Sequence, residues 1–264
     1  MPLLTDKTAI RAILRRDPVW GVYALGDLAP RMFPKTQWFS PGFSPGFGPD
    51  LALVLHDFDT SILFAIGTGA VREALGHVRW PVHLQVQQDA LDEVARYAVI
   101  ESQCHMWRMG WNGPPEGGRH IDQGQNRTAT SARRLGAADV PALLKLYADG
   151  EATGESPDFF YPSMVTDGVF FGVYDGGVLV AAAGTHLFAP EEHAVAIGNI
   201  YTMRDRRGRG LGATVTRAVL DEVKDGGTVG LNVRAGNHAA LHLYESLGFV
   251  RHCLFVEGLA TVRK

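Results

Sequence analysis

The chain has 264 residues, of which 46% are hydrophobic and 20% charged, with a net charge of −3 and two cysteines. This composition can fill a core and excludes intrinsic disorder, and the near-neutral charge excludes a global electrostatic nucleic-acid binder. Cys104 and Cys253 alone build neither a disulfide framework nor a cysteine-rich zinc module. The longest apolar runs, 51–55 and 62–66, are far too short for a membrane span, and charges interrupt the apolar N-terminal stretch. The expectation is a soluble protein of the reducing cytoplasm.

Residues 5–16 carry helical spacing, with Ile10, Ile13 and Leu14 on one face, Thr5 or Asp6 as the cap and Asp17-Pro18 as the stop. Residues 23–28 predict a second short helix. An SPGF duplication within 40–49 is too rich in Pro and Gly for a helix or a central strand and predicts a loop. Two apolar runs, 51–56 and 62–67, flank the charged Asp57-Phe58-Asp59 and predict a hairpin. Helix 70–78, strand 82–87, helix 90–99 and strand 104–111 follow. Residues 112–131 lose apolar periodicity and are rich in Gly, Pro and polar residues. A domain boundary is placed there, giving domains 1–125 and 126–264. The sequon at Asn126 carries no weight in a cytoplasmic protein.

The second half reads more regularly. A strand begins at Arg133, and a helix from Ala137 presents Val140, Leu143, Leu144 and Tyr147 at helical spacing. Residues 149–166 are mixed and acidic. Strands 169–174 and 178–187 flank the tight turn Asp175-Gly176-Gly177. After a turn at 189–192 come strand 195–202, a Gly/Arg-rich loop, helix 211–224, strand 228–233, helix 237–247 and strand 249–257. The order is α/β (α+β) with a mixed sheet.

The loop after strand 195–202 carries the chemistry. Gly208, Gly210 and Gly212 let backbone N–H groups turn toward one point, and the helix that starts there adds unpaired donors and a positive dipole end. Arg204, Arg206, Arg207 and Arg209 surround it. A pyrophosphate is the natural occupant. A P-loop needs Gly-Lys-Ser/Thr, and the residues here are Gly212-Ala213-Thr214. Gly208-x-Gly210-x-x-Ala213 fits the degenerate dinucleotide fingerprint, yet the following strand, 228–233, has no acid for a ribose. Coenzyme A is the third candidate ligand.

Arg207-x-x-Gly210-x-Gly212 resembles the signature of the GNAT superfamily, the Gcn5-related N-acetyltransferases. Ile200-Tyr201-Thr202 before it and Asn237-x-x-Ala240-x-x-x-Tyr244-x-x-x-Gly248-Phe249 after it are similar to the FR47-like branch, and the resemblance spans roughly residues 131–257. It implies a mixed, mostly antiparallel sheet flanked by helices, and an N-acetyltransferase using acetyl-CoA. The implied cofactor-binding residues are Arg207, Gly208, Arg209, Gly210, Leu211, Gly212 and Ala213 at the pyrophosphate. Ile200, Tyr201 and Thr202 would offer backbone groups to the pantetheine arm, in a groove that the family opens by splaying two strands. Asn237 would lie on the opposite side, and Tyr244 would stand near the sulfur as general acid. The plainer role for Tyr244 is a core aromatic facing Phe249.

The resemblance places a glutamate of several family members eleven residues before the motif arginine; here that position is Ala196. His186 is therefore the candidate base, with Glu151, Glu155 or ordered water as alternatives. Asn199, polar in an apolar strand, is a candidate for orienting water or substrate. His238 and His242 stand four apart but lack a third ligand, so no metal is expected. The N-terminal half, where Gly67-x-Gly69 lacks the arginine and the third glycine, reads as a degenerate GNAT-like domain without a cofactor site. The expected partner is a small-molecule or peptide amine, with room for a homodimer; nucleic acid and membrane are not expected. A coenzyme A-binding sensor without turnover and an NAD(P)-dependent oxidoreductase are the competing readings.

Overall fold

The computed structural model describes residues 3–41, 50–57, 59–115, 131–157 and 159–263. The elements are α1 (Lys7–Leu14), α2 (Val22–Gly26), β1 (Thr36–Phe39), β2 (Leu51–Leu55), β3 (Ser61–Ile66), α3 (Val71–Leu75), β4 (Val82–Val86), α4 (Gln88–Tyr97), β5 (Ala98–Trp111), β6 (Arg133–Arg134), α5 (Val140–Glu151), α6 (Ser163–Asp167), β7 (Phe170–Asp175), β8 (Val178–Ala189), β9 (Ala194–Thr202), α7 (Leu211–Val223), β10 (Thr228–Arg234), α8 (His238–Ser246) and β11 (Phe249–Val262). Most of the SPGF duplication, the 125/126 cut with Asn126, and Asp158 lie outside the described residues.

The chain forms two compact units, and neither is one stretch. The first comprises Met1–Arg108, Asn232–Asn237 and Arg251–Lys264; the second comprises Met109–Leu231 and His238–Val250. A single cut between domains, as the sequence suggested, does not describe them. The last of these segments along the chain belongs to the first unit through β11, which runs on past its predicted end and pairs antiparallel with β4, from Val256↔Val86 to Ala260↔Val82.

In the first unit the strand order is β1-β2-β3-β4-β11-β5. The expected hairpin is β2–β3, in register from Leu51↔Ile66 to Leu55↔Ile62, and β3 lies parallel to β4. Every residue of β2 is buried, as its unbroken apolar run requires. Asp6 caps α1 by accepting from the Thr8 N–H at 2.8 Å. Val71 and Ala74 of α3, with Ala90, Leu91 and Val94 of α4, close the core over Phe39, Val54 and Leu63. The sequence does not announce β1: its four residues, Thr-Gln-Trp-Phe, show no apolar run, and its strand conformation comes from pairing with β2.

Among the described residues of this unit, two ionisable side chains are buried. Arg108 is fully buried, with Trp20, Tyr23 and Phe255 rings 5.0, 4.5 and 5.2 Å from its guanidinium carbon. Asp27, just after α2, has its carboxyl pushed up to about 7 by burial and then by the Asp57 charge. A carboxyl raised on folding contributes stability that is complete below its unfolded value near 4 and is lost as pH rises through about 7. Asp27→Asn removes that loss. The variant is expected to melt increasingly above the wild type as pH goes from 5 to 8, at a slope of up to about 1.4 kcal/mol for each step of one in pH. A melting-temperature difference that does not change across that range would contradict the assignment.

In the second unit the strand order is β10-β9-β8-β7-β6, with β9–β10 parallel and the other pairs antiparallel. The expected hairpin turn at Gly176 and Gly177 has φ of 56° and 81°, the positive values a tight two-residue turn demands. α5 buries Leu143, Leu146, Tyr147 and Gly150, an i, i+3, i+4, i+7 stripe, against Leu135, Phe170 and Ala182. Leu144, expected inside, is 52% exposed because the buried face is centred one step further round the helix. α7 buries Val215, Val219, Leu220 and Val223. No helix among the described residues is long and apolar enough to cross a membrane.

Candidate active site

β9 leads into the site with its pairing disturbed. Its parallel register with β10 ends at Ile197↔Leu231, and its register with β8 slips between Ala182/Gly184 and between Thr185/Leu187. Asn199 has φ of 52°, a left-handed value uncommon for residues with a side chain, though Asn tolerates it better than most. Its carbonyl accepts from Tyr147 Oη at 2.9 Å, and its side-chain nitrogen lies 3.6 Å from Met164 Sδ. From Gly198 onward burial alternates. Gly198, Ile200 and Thr202 are half-buried on one side; Asn199 and Tyr201 are buried on the other. Tyr201 is thus a core side chain. Its ring meets Tyr147 edge-on at 6.4 Å and its hydroxyl donates to Asp149 Oδ2 at 2.9 Å, leaving only its backbone for a ligand.

The glycine-rich bend follows. Gly208 and Gly210 have φ of 73° and 77°, and Gly210 caps α7 without any side-chain bond. Among the described residues a Cβ built on either would meet nothing within 4 Å, so the space above both is open. The Thr214 N–H donates to Gly210 O at 3.0 Å, which leaves the N–H groups of Leu211, Gly212 and Ala213 as the unpaired donors of the helix start. Gly212 packs more closely: its Cβ would sit 3.5 Å from Thr202 Oγ1 and 3.8 Å from Leu243 Cδ2. This is the geometry of an anion cradle, with an open approach, converging amides and a positive helix end.

The arginines mostly brace the bend. Arg207 donates from Nη1 and Nη2 to Glu155 at 3.0 and 3.2 Å and from Nε to Thr202 O at 3.2 Å. The Arg204 N–H donates to Asp149 Oδ2 at 3.0 Å, and Arg206 lies 3.6 Å from Asp175. Arg209 has no carboxylate partner among the described residues; its one contact is Asp205 O at 3.5 Å. Bonds from the Arg204 amide and Tyr201 hold the Asp149 carboxyl below its usual range, and Arg207 with Thr153 does the same for Glu155. Glu155, a candidate base by sequence, is therefore an ion-pair partner. Sequence reasoning missed Asp149. One signal was available: an acid in the last turn of a helix opposes the dipole, which suggests a tertiary partner.

Tyr244 on α8 has a buried ring, 6.1 Å from Phe249 and at 67° to it, as the plainer reading expected. Burial raises its phenol above the ordinary value, and its hydroxyl makes no hydrogen bond among the described residues. His186 on β8 packs across Gly198, whose added Cβ would come within 2.9 Å of the His186 Cβ, and its ring lies 6.5 Å from Phe159. Ala196 is fully buried opposite Leu187, so no acid acts from that position. Asn237 is exposed just before α8, with its N–H on Arg234 O at 2.9 Å.

The first unit offers an internal contrast. At Gly67-Thr68-Gly69 a Cβ would fall 1.9 Å from Asp50 Oδ1 at Gly67 and 2.2 Å from Asp50 Oδ2 at Gly69, and the Gly69 N–H donates to Asp50 Oδ2 at 2.8 Å. A carboxylate of the chain itself fills the place an anion would take.

Residues 141–249 match the family described as Acetyltransferase (GNAT) family. The chain is 40% identical over 88 residues to N-alpha-acetyltransferase RimI of Mycobacterium tuberculosis; the match covers 31% of this chain and 52% of that protein, so it spans about half the relative's length. It is 32% identical over 117 residues to the [Ribosomal protein bS18]-alanine N-acetyltransferase of Escherichia coli, covering 44% of this chain and 77% of that one. Among solved structures, a tandem GNAT protein from the clavulanic acid biosynthesis pathway shares the fold, with a TM-score of 0.56 at 14% identity over 99% of this chain and 98% of that one.

Proposed function

Because the chain belongs to the GNAT acetyltransferase family, we propose that it moves an acetyl group from acetyl-CoA to a primary amine. The α-amine of a peptide is the favoured acceptor and a small-molecule amine the broader class. The observation that carries this reading is the open bend at Gly208 and Gly210, in contrast to the filled one at Gly67 and Gly69. The pattern around Tyr201 and Tyr244 supports placement in the FR47-like branch. The filled bend, and the likeness to a tandem GNAT protein along nearly the whole chain, support a degenerate GNAT-like N-terminal half without a cofactor site.

Bound acetyl-CoA would supply the activated acyl group. The amides of Leu211, Gly212 and Ala213, with Gly208, Gly210 and the Arg209 guanidinium, would hold the diphosphate. The backbone of Ile200–Thr202 would line the pantetheine arm, and Asn237 keeps its assignment as a cofactor contact from the resemblance alone. Tyr244, whose phenol stays protonated at neutral pH, would donate a hydrogen bond to the departing sulfur. His186 would take the proton of the attacking amine.

Two features favour an α-amine acceptor. The named relatives act on such amines, and this chain has Ala196 where a strand carboxylate would otherwise serve. An α-amine titrates near 8 and a lysine-type amine near 10.4, so at neutral pH roughly a tenth of the former but under a thousandth of the latter is already free base. A chain without a strong base is better matched to the α-amine.

Melting in the presence of coenzyme A, acetyl-CoA and NADPH tests the cofactor assignment. Both coenzyme A forms are expected to raise the melting temperature and NADPH to leave it unchanged. A rise with NADPH alone would reverse the reading. Thiol release with an alanyl peptide, Nα-acetyl-lysine amide and an aminoglycoside then ranks the acceptors, with the peptide expected first. Tyr244→Phe is expected to lower kcat about tenfold, the worth of one hydrogen bond to a developing charge, with coenzyme A affinity within about twofold. Equal kcat in both proteins would remove Tyr244 from the chemistry.

A further inference from the structure

We propose that Glu155, through its ion pair with Arg207, is a positioning residue that couples the segment 151–157 to occupancy of the glycine bend, so that filling the donor site orders the acceptor side. The inference rests on the coenzyme A reading above.

It starts from the direction of the motif arginine. The Arg207 backbone lies in the bend, but its side chain leads away from the open space over Gly208 and Gly210. The guanidinium forks onto Glu155 at 3.0 and 3.2 Å, bonds Thr202 O through Nε, and lies 5.6 Å from the Tyr201 ring centre. An exposed ion pair alone is worth little, but a fork also fixed on a carbonyl and a ring holds one geometry.

The segment beyond Glu155 has little slack. The N–H groups of Thr153 and Glu155 both donate to Gly150 O, at 3.2 and 3.0 Å, and Thr153 Oγ1 donates to Glu155 Oε2 at 2.8 Å. A Cβ at Gly150 would lie 2.7 Å from Ser156 N and 2.9 Å from Tyr201 Cε2. At its near end Asp149 takes the Tyr201 hydroxyl and the Arg204 N–H. Bend and segment are thus tied at two points, Asp149 with Arg204 and Glu155 with Arg207.

The same acidic stretch continues into Phe159, whose ring faces His186, and Phe160, whose ring meets Tyr147 at 5.0 Å. A diphosphate that immobilises the backbone of the bend therefore immobilises Arg207, and with it the turn leading to the His186 side of β9. Ordering shared in this way makes donor and acceptor binding mutually favourable, and the coupling is reciprocal.

Hydrogen exchange of the full chain with and without coenzyme A tests this in the wild type, Glu155→Gln and Arg207→Lys. In the wild type coenzyme A is expected to slow exchange in 203–214 and, by about threefold, in 151–157, a size that an exposed forked pair supports. In Glu155→Gln the slowing at 203–214 persists and that at 151–157 is lost. Arg207→Lys, which keeps the charge and loses the fork, gives a reduced response. Slowing confined to 203–214 in the wild type, or an intact response at 151–157 in Glu155→Gln, overturns the coupling. Slowing in neither segment overturns the coenzyme A reading itself, and the coupling with it.

Discussion

Gly210→Asp is expected to cost at least about thirtyfold in coenzyme A affinity, from a left-handed backbone penalty of about 1–2 kcal/mol and a like-charge repulsion of about 1–4 kcal/mol at contact distance. The glycine stands at φ 77° as the cap of α7, where any other residue is strained. Among the described residues nothing lies within 4 Å of a Cβ there, so the new side chain meets no wall and projects into the space proposed above for the diphosphate. The charge then opposes the ligand directly. Titration calorimetry with coenzyme A reads the loss, and Gly210→Ala separates its parts by keeping the strain without the charge. Its expected loss is about tenfold. Affinity unchanged in the aspartate variant would mean that the ligand does not sit on this bend.

Arg108→Met is expected to stabilise the first unit. Among the described residues the three guanidinium nitrogens, all buried, find no hydrogen-bond partner. Burial lowers the Arg108 pKa, with smaller opposing contributions from Tyr23, Cys253, Glu257 and Asp17. Three ring faces return about 0.5–2 kcal/mol each. Each unsatisfied buried donor costs about 1–3 kcal/mol, more on a charged group, so for five N–H donors the penalty is the larger quantity. A methionine of similar length keeps contact with Trp20 and Phe255 and carries no charge. Replacements of this kind gain about 1–4 kcal/mol, or about 2–4 °C of melting temperature per kcal/mol in a chain of this size. Arg108→Lys keeps the cation and loses the flat stack, and should melt below the wild type. A methionine variant that melts lower would show that the rings outweigh the lost hydrogen bonds.

The parts of the fold legible in the chain are those whose cause is local. The 51–66 hairpin, the Gly176-Gly177 turn and the face of α1 follow from apolar runs, positive-φ glycines and a capping Asp6. Legibility fails where pairing supplies the reason. β1 has no pattern of its own, Leu144 sits outside a stripe drawn one step off, and β11 extends beyond its predicted end because β4 offers it an edge. The same division runs through the site. The motif placed Arg207 at the bend, but the direction of its side chain depends on Glu155, 52 residues away in the chain.

Taken alone, the order of residues determined that a helix beginning at Leu211 would present its first amides behind two glycines. Backbone sterics and the unpaired donors of a helix start operate within a few residues, so that feature is written locally. Folding decided which of the two glycine bends stays open. Asp50, brought alongside by the pairing of β2 with β3, closes Gly67 and Gly69, and among the described residues no side chain does so at Gly208 and Gly210. It also decided that Arg207 braces a neighbouring segment and that Arg108 is enclosed by rings, since each depends on residues that only packing brings together.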